Sequence, residues 1–224
     1  MPYPKGHREQ VRKRIVESAR RLFNRHGFEA VSIDSIMADA GMTHGGFYQY
    51  FHSKSDLYTE VLGCFFTDPN WKNRWKGVHL DLASGPAGPQ IVRAYLSRQH
   101  FDDVENSCPM VALPNEVARC DERVKATFEN VFKAMVAMLA RDIGNAEESE
   151  ETAMAIAALC IGGMVVARSL NDSGFSDRLR EAAAQVALEL AGWESPIRKP
   201  PAPGLSPRRP PARQARPGKA PVRR

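Results

Sequence analysis

The chain has 224 residues and is 43% hydrophobic, enough to bury one large core or two smaller ones and too much for a wholly disordered protein. Its formal charge of +5 is uneven: residues 1–55 hold 9 basic and 5 acidic side chains, residues 56–195 hold 13 and 21, and residues 196–224 hold 9 basic and none acidic. That layout suits a polyanion at the ends rather than in the middle, and no uninterrupted apolar run reaches the ~18 residues of a membrane span.

Arg8 to His26 reads as a first helix. Val11, Ile15, Ala19, Leu22 and Phe23 make one apolar stripe, and Arg12, Lys13, Arg14, Arg20, Arg21 and Arg25 crowd the remaining surface. Gly27 supplies a stop. Between Val31 and Lys54 the sequence VSIDSIMADAGMTHGGFYQYFHSK predicts two short helices joined by a glycine turn, the spacing of a helix-turn-helix. Ser32 is placed to cap the first of them, Ile33, Ile36 and Met37 to bury one face, and Gly41 to end it in the left-handed conformation. Thr43 is placed to cap the second. Phe47 and Phe51, four residues apart, anchor that helix inward, which leaves Thr43, His44, Tyr48 and Gln49 to a major groove and its phosphates. Ser53-x-x-Asp56 starts a further helix through Leu57, Val61 and Leu62.

From Asp68 to Pro89 the prolines, glycines and tryptophans break any long helix, so loops or short turns are expected there. Helical periodicity resumes over Gln90 to Phe101 and Met110 to Cys120, with Pro114 tolerated only near a first turn. A long amphipathic helix is expected over Glu122 to Ile143, a more apolar one over Glu147 to Leu170, and a last one over Phe175 to Ala191. No segment alternates with period two, so the expected fold is all-α. The stretch from Ala153 to Leu170, apolar around most of its circumference, needs several neighbours, and with the final helix it suits a four-helix interface in a homodimer.

The predicted organisation is therefore an N-terminal three-helix helix-turn-helix DNA-binding domain over 8–68 and a larger helical-bundle domain over 69–195, whose acidic surface suits partner contacts, dimerisation or a ligand pocket. Residues 196–224, alternating proline with arginine or lysine, read as a disordered basic tail. The start MPYPKGHREQVRKR is basic but lacks the apolar stretch of a secretion signal, so the expected compartment is the cytoplasm.

Catalytic chemistry has no foothold in the pattern. None of the six histidines pairs with a serine, cysteine or acid in a nucleophile motif, and neither H-E-x-x-H nor a phosphate-cradling glycine loop occurs, so no catalytic residue, cofactor or metal site is assigned. The four cysteines lack the C-x2-C spacing of a zinc site. Cys160 within ALCIGG reads as core, whereas Cys108 in ENSCPM stands where a loop or helix start can expose a sulfur and activate it. Tyr95, Phe101, Met110, Leu113, Phe128, Phe132, Met135 and Met164 are candidates to line an apolar effector cavity, although such stripes at helical spacing also build ordinary cores.

Phe23, Gly27, Phe28, Ser32, Ile36, Ala40, Gly41, Thr43, Gly45, Tyr48, Phe51 and Lys54 fall in one register, F-x-x-x-G-F followed by T/S-x-x-x-I-A-x-x-A-G-x-S/T-x-G-x-x-Y-x-x-F-x-x-K. Over residues 8–62 the chain thereby resembles the TetR family of bacterial transcriptional regulators, with Met37 where alanine is commoner. The resemblance implies a homodimeric, all-helical repressor on a pseudo-palindromic double-stranded DNA operator, released when a small-molecule effector in the C-terminal domain changes the separation of the two reading heads. Within that frame Ser32 and Thr43 offer hydroxyls and N–H groups to phosphates, and Tyr48 and Lys54 add a phenol and a charge. His44, Gly45 and Gly46 lead the reading helix, the glycines letting the backbone approach the bases. Gln49 can pair with adenine, and Tyr50 can touch sugar or base edge. The stretch SCPMVALPNEVARC is similar to an element in one branch of the family, some members of which sense electrophiles through cysteine. Asn106 and Ser107 stand where that branch has glycine, and Cys108 becomes a candidate redox or electrophile sensor. A further alternative is non-specific DNA binding through the basic tail.

Overall fold

α1 (His7–His26) buries the stripe Val11, Ile15, Ala19 and Phe23 and ends at Gly27. This computed structural model describes residues 6–67, 78, 80–83, 85–112, 114–144 and 148–194, and every regular element among them is helical. The tail expected over 196–224, Leu113 and most of the interrupted stretch after Asp68 lie outside the described residues. α2 (Ile33–Asp39) opens on a reciprocal cap in which Ser35 N–H donates to Ser32 Oγ and Ser32 N–H to Ser35 Oγ, both at 3.1 Å. Gly41, at φ +71, then turns the chain through the left-handed region that a β-carbon disfavours. The Ser18 hydroxyl on α1, helped by Arg21, holds the Asp39 carboxyl below its ordinary range against the cost of partial burial, so the end of α2 is clamped to α1.

The second helix of the motif is tighter than expected. His44–Gln49 is a 3-10 helix, with Gly46 N–H donating to the Thr43 carbonyl at 3.0 Å and Tyr50 N–H to that of Phe47 at 2.9 Å. Gly45 and Gly46 are poor α-helix formers, and a six-residue piece is short enough to close with i to i+3 bonds instead. α3 (Lys54–Thr67) follows, and Ser53 Oγ accepts from Asp56 N–H at 3.0 Å as the spacing predicts. Phe23, Phe28 and Tyr58 pack ring on ring at 4.5–5.4 Å among Ile15, Ile36, Met37, Phe47, Phe51, Leu57 and Leu62, forming the first core.

The remaining elements are α4 (Ala87–Tyr95), α5 (Arg98–Asp102), α6 (Pro109–Ala112), α7 (Pro114–Val117), α8 (Glu122–Ala140), α9 (Ser149–Arg168) and α10 (Ser173–Leu190). Two expected helices are therefore each split. Ser97 caps a new start, its Oγ accepting from His100 N–H at 3.1 Å, and Pro114, which has no N–H to give a preceding turn, begins α7. α4, α6, α8, α9 and α10 surround a second core that includes Tyr95, Met110, Met135, Leu139, Ile156, Cys160, Met164 and Ala187. By length and composition α9 can span a bilayer, but here it is the central helix of this bundle, with Ala153, Ile156, Ala157, Cys160, Met164 and Ala167 buried. A β-carbon on Gly163 would lie 2.9 Å from that of Ala183, so glycine there sets how closely α9 and α10 approach.

The two cores are joined through side chains. Val117 of α7 and Val124 of α8 belong to the first core, and Phe128 packs against both. Arg20 of α1 donates to the Glu105 carbonyl at 2.7 Å and to Asn106 Oδ1 at 2.8 Å, and Asn24 donates to the carbonyls of Glu105 and Ser107 at 3.0 and 2.9 Å. On the other side of the joint, Glu116 accepts from the N–H of Phe28 at 2.7 Å. The helix-turn-helix module is thus bonded at two places to the segment that carries α6 and α7.

Beneath that joint His100 is 0% exposed. Its Nδ1–H donates to the Tyr95 carbonyl at 2.6 Å, while Nε2 faces Ser107 Oγ at 2.9 Å and accepts from Cys108 N–H at 3.3 Å. Burial pushes its pKa down to about 3, with the Arg168 charge adding to burial and the Tyr95 carbonyl opposing it. An unfolded histidine takes up its proton near pH ~6.5. Between that value and the folded one the unfolded chain binds more protons, so stability present above pH ~6.5 is lost as the pH falls, by about 2 kcal/mol at pH ~5. Urea unfolding at the acid and neutral ends of that window should show this loss; equal stabilities would contradict the buried neutral ring.

Candidate nucleic-acid interface

The 3-10 helix presents Thr43, His44, Gly45, Tyr48 and Gln49 to solvent, with Gly46 and Tyr50 half-buried behind them. Tyr48 is 58% exposed, whereas Phe47 and Phe51 are 0% and 1% exposed in the first core. Thr43 occupies the cap position in extended backbone, yet its hydroxyl makes no cap bond, which corrects the expected capping role and leaves the group open to a phosphate. Ser32 does cap α2 and stays on the surface.

The first turns of α1 complete this face. Arg8 donates to the Gln49 carbonyl at 2.9 Å, and Arg12, stacked 4.2 Å from the Phe51 ring, donates to the Tyr50 carbonyl and pairs with Glu60. An open groove of about 980 Å³ runs between them, lined by His7, Arg8, Arg14, Thr43, Gly46, Gln49 and Tyr50 among others. Motif spacing does not single out Arg8 and Arg14; Arg14 belongs to the basic crowd of the first helix, and Arg8 only opens that helix. Such a basic, concave strip beside a projecting polar helix matches a phosphate backbone flanking a groove.

Two expectations change here. Lys54 Nζ donates to the carbonyls of Phe28 and Val31 at 2.8 and 3.0 Å, lies 3.4 Å from that of Glu29, and sits 4.4 Å from the Phe28 ring. Its donors close the loop between α1 and α2, so a direct phosphate contact would have to break that clasp. Cys108 is 0% exposed, packed in the second core and not displayed at a loop, so the expected accessible sulfur is absent. Of the proposed effector-lining residues, Tyr95, Met110, Met135 and Met164 fill the second core, and Phe101, Phe128 and Phe132 pack half-buried against it.

A distinct apolar surface lies along the last two helices. Ala155, Ala158, Leu159, Gly162, Val166, Leu179, Ala182 and Val186 form a shallow depression along α9 and α10, with Val166 and Val186 50% and 49% exposed.

Comparison with known proteins agrees with this geometry. Residues 15–61 match the family model described as bacterial regulatory proteins, tetR family. The transcriptional regulator AcrR of Shigella flexneri is 38% identical over 53 residues, 24% of this chain and 25% of its own length. The uncharacterized regulator YxaF of Bacillus subtilis is 25% identical over 174 residues, covering 74% of this chain and 88% of that protein. Against several such curated relatives the chain spans only 25–35% of their length. The reduced form of Escherichia coli NemR superposes with a TM-score of 0.63 at 19% identity, over 80% of this chain and 96% of that one, a likeness of fold. The helix-turn-helix module over residues 15–61 is therefore that of the bacterial regulatory proteins of the tetR family, and the described helices around it are arranged as in the NemR fold.

Proposed function

We propose that this protein is a cytoplasmic, homodimeric transcriptional regulator that binds a pseudo-palindromic operator and represses from it until a small effector enters the α-helical body. The observation that carries the reading is the division of labour within the 3-10 helix: Phe47 sits in the core while Thr43, His44, Tyr48 and Gln49 project beside a strip of α1 arginines. Thr43 and Tyr48 supply phosphate contacts that set register, and His44 and Gln49 supply base contacts. Arg8 and Arg14 add the salt-sensitive electrostatic share.

The apolar α9–α10 surface supports the dimer. A depression lined almost wholly by alanine, glycine, valine and leucine gains little from facing water, and a second copy of the same two helices buries it in a four-helix contact with two-fold symmetry. The joint through Arg20, Asn24 and Glu116 is the route by which a change in the body reaches the reading head. Selection of bound duplexes from a random-sequence library tests the reading: it should enrich one motif repeated in inverted orientation, with half-site centres about one helical turn or a multiple of it apart. Recovery of no motif would leave only a non-specific binder.

A further inference from the structure

An acidic side chain on a face meant for a polyanion needs a reason. Asp34, in the first turn of α2, is such a group, and its carboxylate accepts from His44 Nδ1 at 2.7 Å across the turn of the motif. The pair is exposed, with 48% of the histidine and 75% of the aspartate side chain open to solvent. The ring lies 5.9 Å from that of Tyr48, so one side of it is flanked by protein. Among the described residues nothing else bonds its second nitrogen.

A carboxylate cannot donate, so the proton it meets must be on Nδ1. In a neutral imidazole the other nitrogen is then an acceptor. We propose that Asp34 and His44 form a two-residue reading unit, in which Asp34 fixes the tautomer and His44 Nε2 accepts a hydrogen bond from the exocyclic amino group of adenine or cytosine in the major groove. Those amino groups are the donors a base pair displays there, and a ring held in the opposite tautomer would favour the acceptors of guanine or thymine instead. The aspartate thus acts as a positioning residue for base choice. Its proximity to the N-terminus of α2 gives it a purely structural use as well, and the two uses separate by measurement.

The unit rests on the proposed DNA-reading role of the 3-10 helix, and its test is arranged so that the two can fail separately. Random-duplex selection is run in one mildly alkaline buffer on the full chain and on Asp34→Ala, Asp34→Asn and His44→Ala. The full chain should enrich a motif in which one column of each half-site favours adenine or cytosine on one strand, by roughly fivefold to tenfold, the worth of one hydrogen bond. His44→Ala should flatten that column to within about twofold because it removes the bond itself, and Asp34→Ala should flatten it likewise because the freed ring can present either a donor or an acceptor there; both leave the other columns in place. Asp34→Asn should weaken it, because an amide can face either nitrogen tautomer. An unchanged column in Asp34→Ala overturns the proposal, as does a column lost in Asp34→Ala but kept in His44→Ala, which would mean that the aspartate reads the base itself. A uniform rise in affinity on removing the carboxylate, with every column intact, also overturns it and leaves plain repulsion. No enriched motif with the full chain refutes the DNA-reading role on which the unit rests.

Discussion

Phe47→Ala should cost the DNA-side module about 3–5 kcal/mol and abolish specific binding, while Tyr48→Phe, one residue along, should leave stability within about 0.5 kcal/mol and weaken binding roughly threefold to tenfold. The first removes a ring that is 0% exposed, sits 5.7 Å from Phe51 and backs the whole reading segment; the space it leaves cannot be filled by the six-residue helix that carries it. The second removes only a hydroxyl from a side chain that is 58% exposed. Denaturant unfolding paired with duplex titration separates the two. A Phe47→Ala protein that binds normally would mean that the segment is not held from behind, and a Tyr48→Phe protein with unaltered affinity would remove the phenol from the interface.

The second large effect concerns assembly. Val166→Glu combined with Val186→Glu places two charges in the α9–α10 depression, where a partner copy would have to bury them unpaired. Light scattering should then report a species of 24.9 kDa where the unaltered chain shows twice that mass. Operator affinity should fall roughly a hundredfold to ten-thousandfold, because two tethered heads no longer bind as one ligand. Both valines are about half exposed, so the folded monomer should survive. An unaltered dimer mass in the double variant would place the interface elsewhere.

Much of this was readable from residue types at fixed spacing. Ser32, Gly41 and the Phe47–Phe51 pair announce a cap, a left-handed turn and an inward anchor, and each does that locally in the fold. The all-helical body was equally plain from its 3.6-residue periodicity. What spacing does not encode is direction across elements. Lys54 reads as a free charge until the α1–α2 loop is seen to fold its carbonyls over the ammonium. Cys108 reads as a loop thiol until His100, from eight residues earlier, and Arg168, from sixty residues later, close around Ser107 beside it. The Asp34–His44 pair spans a turn whose closure depends on Gly41 and on the tight 3-10 geometry, so neither residue signals the other in the sequence. One missed break was legible: Ser97, three residues before His100, is a helix cap that splits α4 from α5.

Everything proposed for the reading helix and the dimer depends on sequence-specific duplex binding by the α1–α3 module. Its most direct test is a competition titration, at one fixed salt concentration, of the selected duplex against a scrambled duplex of the same length and composition. The selected sequence should be preferred by roughly 10³-fold or more. Equal competition by the two would contradict it, leaving a basic surface that holds DNA without reading it.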